Sequence, residues 1–431
     1  MYTENLFGKL GNGEKIMKKL VKLGMIGLGP RGETLLATLY DFPPDEVLVT
    51  AICDINQERI DRILKIMEEH NYPKPMVFTD YRQLVAHDEV DAVLIPTSWN
   101  SHLKIAEEAM SHGKYAGIEV GGASSLDELW RLVRAAESTG VSCMMLENCC
   151  YGRNELLALN LARKGLFGEL IHCACGYEHD ISEMCRPEKN HGIREMHNRR
   201  RNGELYPTHG IGPVAKILRI NRGNRFVSLT STASKSRGFS REAERSGCGR
   251  IVYNEGDVIT TVIRCANGET VTMTHCISLP RPYSRDFKVQ GTKGILMEDT
   301  KAAHIEGISP TREEIDVAGN PYVVHDWTPL TDLYEKYDHP VWKGFRENVT
   351  GGHGGIDTLV LKAFTDCVRR HVPTPIDVYD CAAWMAITCL SEDSIALGSA
   401  PVAFPDFTDG KWIEESDCCP GPWSLDEVYE D

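Results

Sequence analysis

From Val21 to Asn148, short β-branched or apolar runs alternate with amphipathic runs at helical spacing, and the connections between them are only a few residues long. VKLGMIGLG, VLVTAICD, DAVLIPT, YAGIEV and VSCMMLEN read as strands, and GETLLATLYDF, QERIDRILKIMEEH, HLKIAEEAMSHG and LDELWRLVRAAESTG as helices. A strand returns parallel to its predecessor only through a crossover of about this size, so the rhythm predicts a doubly wound parallel sheet over residues 21–148.

After Asn148 the rhythm changes. ELLALNLARKGLFGEL reads as a helix and LIHCACGYEHD as a strand with polar groups at its end. Then come the β-like runs FVSLTSTAS, DVITTVIRCA, ETVTMTHCIS, DFKVQGTKGILME and YVVHDW, with Asn267-Gly268 as a hairpin signal between two of them. DTLVLKAFTDCVRRH and YDCAAWMAITCLSEDSIALG return to helix before an acidic, irregular tail. Residues 149–431 therefore predict an α+β domain with an open, mostly antiparallel sheet, and residues 1–20 a loosely ordered extension. A chain of 431 residues has room for these two domains.

A net charge of −15 repels a phosphate backbone, so no nucleic-acid partner is expected. No apolar run approaches the ~18–20 residues that cross a bilayer, and no secretory signal is read at the N-terminus, so no membrane partner and a cytoplasmic location are expected. The 15 cysteines fit reduced thiols; the pairs Cys149–Cys150 and Cys418–Cys419 and the Cys173-x-Cys175 spacing match no zinc pattern, and no metal is expected.

GLGPRG sets Gly27, Gly29 and Gly32 between a predicted strand and a predicted helix, the context in which a GxGxxG string binds a dinucleotide in a Rossmann fold. Gly27 permits the tight turn, Gly29 lets a pyrophosphate approach the backbone, and Gly32 lets the helix pack on the sheet. Asp54 ends the second strand where an acid binds the ribose diol, which favours NAD over NADP. Arg31 complicates that preference, since a guanidinium can meet a 2′-phosphate; the competing reading has the glycines serving packing and Asp54 capping a helix.

The succession GLGPRG, ICD, PTSWNSHLKIAEEAMSHGK and GIEVGGA resembles the Gfo/Idh/MocA oxidoreductases. The resemblance implies a Glu-Lys-Pro segment whose lysine assists hydride transfer. Here Glu119 is present, but Val120 and Gly121 stand where the lysine and proline would be. A plain dehydrogenase without that ammonium needs another acid/base group.

Polar chemistry is densest between Asn148 and Gly212. Tyr177 and His179, two apart on a strand, project from one face, with Asp180 next to them. Arg194, His197 and Asn198 follow, then Tyr206, Pro207, Thr208 and His209 at a predicted helix start, where glycines and Pro213 suit close approach by a ligand or another backbone. Each has a plainer reading: His179 as a structural histidine oriented by Asp180, and Arg194 as part of a solvated loop, RPEKNHGIREMHNRRR.

ENCCYGR, GYEHD, NGELYPTHGIGPVAKILRINRG, RPYSRDFKVQGTKGI, HPVWKGF, GGHGGID and DVYDCAAWMAITCLSEDSI together resemble glycoside hydrolase family 109, the NAD-dependent branch of the same superfamily, known for α-N-acetylgalactosaminidase activity. This resemblance implies that Pro30, Arg31, Asp54, Trp99, Asn100, Ser101, His102, Glu119, Val120 and Asn148 face NAD. It sets Tyr177, Arg194, Tyr206, Pro207, Thr208, His209 and Tyr283 against a sugar, with Tyr206 at the nicotinamide–sugar junction. The absent lysine fits this branch. The implied reaction oxidises C-3 of the sugar, removes the C-2 proton, expels the aglycone from C-1, adds water and reduces the ketone again, so that a tightly held NAD is recycled. A modest base such as His209 or Tyr206 abstracts the C-2 proton, with His209 as the central acid/base and Tyr177 and His179 as secondary donors. A sugar or inositol dehydrogenase releasing NADH and a non-catalytic NAD-binding sensor are the alternatives. The partner is a small glycoside or oligosaccharide, and a homo-oligomer is expected from the open sheet.

Overall fold

The computed structural model describes residues 20–187, 193–345 and 349–429. The predicted extension over residues 1–20 lies outside them, save for residue 20 itself. Six strands form the first sheet: β1 (Val21–Ile26), β2 (Val47–Cys53), β3 (Met76–Phe78), β4 (Ala92–Ile95), β5 (Tyr115–Ile118) and β6 (Cys143–Met145). Their order is β3-β2-β1-β4-β5-β6 and every pairing is parallel. The crossover helices are α1 (Pro30–Leu39), α2 (Gln57–Glu69), α3 (Tyr81–Val85), α4 (His102–Ser111) and α5 (Leu126–Thr139). Strand order reverses between β1 and β4, which opens a crevice at their carboxyl ends. β3 and α3 were not anticipated, because three and five residues carry too little periodicity to read.

The chain then forms α6 (Arg153–Arg163), β7 (Leu170–Glu178), α7 (Ile193–Arg200), α8 (Thr208–Ile217), β8 (Phe226–Ala233) and α9 (Gly238–Arg245). Next come β9 (Ile259–Cys265), β10 (Thr270–Cys276), β11 (Lys288–Gly291), β12 (Gly294–Met297), β13 (Ala302–Ile305), a separate ribbon of β14 (Thr311–Ile315) and β15 (Pro321–His325), and β16 (Thr328–Pro329). α10 (Leu330–Tyr337), α11 (Pro340–Phe345), α12 (Ile356–Arg370), α13 (Val378–Ala396) and β17 (Val402–Ala403) finish the chain. The second sheet runs β16-β13-β12-β11-β7-β10-β9-β8-β17 and is antiparallel except where β7 meets β10. β9 and β10 close through the Asn267-Gly268 turn, with Gly268 at φ 104°. The run DFKVQGTKGILME folds as two strands rather than one, and YVVHDW joins the outlying ribbon.

α13 is buried nearly all round because it lies between the sheets, against α5 and β6 on one side and β8 on the other. α12 lies against α1 and β1. The acidic tail is irregular but docked: Leu425 and Asp426 are buried, and Asp426 pairs with Lys216 at 3.2 Å and Arg222 at 2.9 Å.

Candidate active site

The cofactor side is built on the β1–α1 turn. Gly27 adopts φ +102°, and a Cβ there would meet Thr97 Cγ2 at 2.9 Å; one on Gly32 would strike the Gly27 carbonyl at 2.1 Å. At Gly29, by contrast, nothing lies closer than the Arg59 guanidinium at 3.6 Å, so the approach to the turn is open. Pro30 starts α1 with no side chain capping it, so the N–H groups of the first turn are left for an anion. Asp54, buried, accepts Leu28 N at 2.8 Å and Asn56 N at 2.9 Å, tying β2 to the turn. The cap of α2 is Asn56, which settles the question of Asp54 as a cap. Arg31 is taken up by Asp357, in two bonds of 2.9 and 3.0 Å, and by Glu119 at 2.7 Å. A guanidinium so neutralised does not wait for a 2′-phosphate.

Asn148 Nδ2 donates to the same Asp357 at 2.7 Å, while its Oδ1 is buried without a partner among the described residues. His102, wholly buried at the start of α4, has both ring nitrogens unpartnered, and burial lowers its pKa to about 4. Asn100 is exposed, and Ser101 bonds back to the Ser98 carbonyl at 3.0 Å. An open glycine turn, uncapped helix amides and orphaned polar atoms beyond β4 and β6 fit a dinucleotide spanning the crevice. The absence of lysine at 120 also acquires a structure: Trp99 Nε1 donates to the Val120 carbonyl at 3.2 Å, and a Cβ on Gly121 would lie 2.1 Å from that nitrogen. An indole lies over the backbone at this point of the segment, and Val120 itself is buried.

The second group of side chains assembles from three elements and the turn after one of them. β7 supplies Tyr177, the residue just past its end is His179 rather than a further strand residue, the start of α8 supplies His209, and α7 supplies Arg194. Ring centroids lie 4.7 Å apart for Tyr177 and Tyr206, 5.6 Å for Tyr177 and His209, and 5.0 Å for Tyr206 and His209. Tyr283 stands edge-on to His179 at 5.1 Å. The Arg194 guanidinium lies 5.1 Å from the Tyr206 ring and 5.6 Å from Trp99, a cation–π arrangement and not a solvated loop; residues 188–192 of that segment lie outside the described residues. Close approach at Gly210 is to a backbone: a Cβ there would sit 2.8 Å from Gly176 N, so glycine lets α8 lie on β7. Pro207 is the residue before α8, and Thr208 is buried with its hydroxyl facing the Glu147 carboxylate.

Glu147, part of the polar string LENCCYGR but not one of the expected site residues, is fully buried and accepts from His209 Nδ1 at 2.6 Å. A carboxylate can only accept, so Nδ1 carries the proton. Burial disfavours the charged imidazole, but Cys149, 3.4 Å away, and Glu147 outweigh it and raise the His209 pKa well above the ordinary value. Burial likewise opposes a charged Glu147, and His209 outweighs it and lowers the Glu147 pKa. His179 goes the other way, lowered by burial and by Arg194 against the pull of Asp180. Tyr177, its pKa pushed up to about 12 by burial and then by Tyr206, lies 3.3 Å from His179 Nδ1. Asp180 accepts from Ser182 N and Oγ, at 3.2 and 2.7 Å, so it holds its own turn instead of orienting His179. Behind Tyr177, buried His275 lies between Glu204 at 3.0 Å and Glu255 at 2.9 Å. Sequence signals for Glu147, Asp357 and His275 were slight, since their partners lie 20 to 326 residues away; position at the end of β6 was the one clue to Glu147.

Residues 21–147 match the family model described as oxidoreductase family, NAD-binding Rossmann fold, and residues 151–414 the one described as glycosyl hydrolase 109, C-terminal domain. A Tannerella forsythia protein named alpha-N-acetylgalactosaminidase is 40% identical, covering 91% of this chain and 87% of its own length. A glycosyl hydrolase family 109 protein of Parabacteroides distasonis is 38% identical over 91% and 88%. Among solved structures, scyllo-inositol dehydrogenase from Lactobacillus casei with bound NAD(H) and scyllo-inositol superposes with a TM-score of 0.61 at 13% identity, covering 89% of this chain and 99% of the other; that likeness shows the fold.

Proposed function

Since the chain belongs to glycosyl hydrolase family 109, we propose that it cleaves a glycoside by NAD-dependent oxidation and elimination, with the NAD held tightly and recycled. Gly27, Gly29 and Asp54 at the β1–β4 crevice would hold NAD, which when bound would supply a reversible hydride acceptor for C-3 of the sugar and so acidify the C-2 hydrogen. The residues divide into two arms. Tyr177 and His179 form the accepting arm: His179, held neutral, receives at Nδ1 the proton that Tyr177 passes on when the phenol takes the one from C-2. His209, whose charged form Cys149 and Glu147 favour, is the donating arm and supplies a proton to the departing aglycone oxygen. Arg194, fixed over Tyr206 and Trp99, and Tyr283 bind hydroxyl or acetamido groups. Val120 leaves no ammonium at the position from which a dehydrogenase lysine would act.

The observation that carries this reading is the cluster of Tyr177, Tyr206 and His209 rings within 5.6 Å of one another, with His179 Nδ1 3.3 Å from the Tyr177 hydroxyl; the opposed displacement of the two histidines suits one acid and one base. The test is a panel of aryl glycosides, beginning with the α-N-acetylgalactosaminide for which the Tannerella relative is named, assayed with and without added NAD⁺ in D₂O. Release of the aryl group with deuterium at C-2 and no net NADH is the expected result. Stoichiometric growth of NADH absorbance would identify a dehydrogenase instead, and silence across the panel a sensor.

A further inference from the structure

Cys149 makes none of the proton transfers of the two arms, yet it lies against one of them and helps to raise the His209 pKa. Its Sγ, a carboxylate oxygen of Glu147 and a ring nitrogen of His209 all fall within 4.8 Å of one another. Sγ is 3.4 Å from His209 Nδ1, and Glu147 Oε1 is 2.6 Å from the same nitrogen. Tetrahedral Zn²⁺, with bonds of about 2.0–2.3 Å, spaces its ligands by roughly 3.3–3.8 Å, so the sulfur–nitrogen span already fits and the carboxylate has to withdraw by about 0.7 Å. Glu147 is buried, and its carboxylate also faces the Thr208 hydroxyl. No cysteine spacing announces such a site, because two of the ligands come from the turn after β6 and the third from the start of α8.

We propose that Glu147, Cys149 and His209 form a site for a thiophilic divalent cation, of the Zn²⁺ class, and that its occupation switches the donating arm off. One thiolate, one imidazole and one carboxylate suit Zn²⁺ or Cd²⁺, whereas Mg²⁺ and Ca²⁺ demand six or more oxygens. Three protein ligands leave the fourth position to water or a sugar hydroxyl. As the metal–nitrogen and metal–sulfur bonds form, the Nδ1 proton of His209 and the thiol proton of Cys149 leave to solvent. Apparent affinity therefore rises with pH. The loss of activity rests on the glycosidase reading; the binding does not.

The test uses the full chain with its NAD bound. Titration with Cd²⁺ is followed by the ultraviolet thiolate-to-cadmium band, and Zn²⁺ and Mg²⁺ are compared as inhibitors. Cys149→Ser is expected to remove one thiolate's share of the band and lower Zn²⁺ sensitivity by about tenfold or more. The other thiols, the buried Cys367–Cys419 contact included, contribute equally to both proteins. His209→Gln keeps the sulfur and is expected to weaken the Cd²⁺ midpoint, so the site is also tested by a variant that leaves Cys149 in place. A band and midpoint unchanged in both variants, or Mg²⁺ inhibiting as strongly as Zn²⁺, would overturn the proposal. If no glycoside is cleaved at all, the cadmium band still decides the binding, separately from the reaction.

Discussion

A buried carboxylate 2.6 Å from a histidine nitrogen fixes the tautomer of that ring, as Glu147 does for His209, and Cys149 and Glu147 together favour its charged form. His209→Ala should lower kcat by about 10²–10⁴-fold while the bound NAD and the thermal unfolding midpoint stay close to those of the parent; ordinary turnover would remove His209 from the chemistry. Glu147→Gln keeps the shape and removes the charge, so the His209 pKa falls and the donating arm loses its proton at lower pH. The alkaline limb of the kcat profile should move to lower pH by about one unit or more, with the acid limb in place; a profile that does not move means that Glu147 does not set the charge of His209. Arg31 illustrates how a residue read alone misleads. As a lone guanidinium beside a phosphate site it argues for NADP, and bound to Asp357 and Glu119 it argues nothing of the kind.

At the scale of elements, glycines and one buried triad set the distances between groups. Gly121, at φ +150°, holds its place because any Cβ would enter the Trp99 indole. Gly121→Ala should displace Trp99, weaken NAD binding and alter the protein's fluorescence, with a loss of roughly 1–3 kcal/mol of stability; an unchanged emission spectrum and NAD affinity would count against this placement. His275 on β10 pairs in register with Tyr177 on β7, and its ring ties Glu204, two residues before Tyr206, to Glu255. Burial opposes its charge, but the two carboxylates outweigh it and raise its pKa to about 10. A pKa raised on folding contributes stability fully present below the unfolded value near 6.5 and lost as pH rises through about 10. His275→Gln should therefore cost on the order of 3–5 kcal/mol at pH 6, and the gap in unfolding midpoint between variant and parent should narrow as pH approaches 10. A gap that stays constant with pH would show that the ring is neutral.

At the scale of the whole molecule, the tail and the last long helix brace α8, which carries His209, from behind. Lys216 of α8 meets Asp380 of α13 at 2.7 Å and Asp426 of the tail at 3.2 Å, and Arg222 bonds to Asp377, Asp380 and Asp426. Removing one partner from such a group leaves a buried charge uncompensated, so Asp426→Asn should destabilise the protein by about 3–5 kcal/mol, read from denaturant unfolding with the bound NAD held constant. A change below about 0.5 kcal/mol would mean the tail is an appendage.

The alternation of strands and helices, the glycine turn with Asp54 and the Asn267-Gly268 hairpin were legible in the amino-acid order, because each rests on periods of 2 or 3.6 residues or on a conformation that only certain residues adopt. The replacement of a lysine by Val120 was legible too, though not what takes its place. What only the folded chain decided are the pairings across it: Asp357 with Arg31, Glu147 and Cys149 with His209, His275 with two glutamates, and the tail with α8. Local order encodes backbone geometry, whereas a charge or a proton is set by whatever lies within a few ångströms, and those neighbours are dozens to hundreds of residues distant in the sequence.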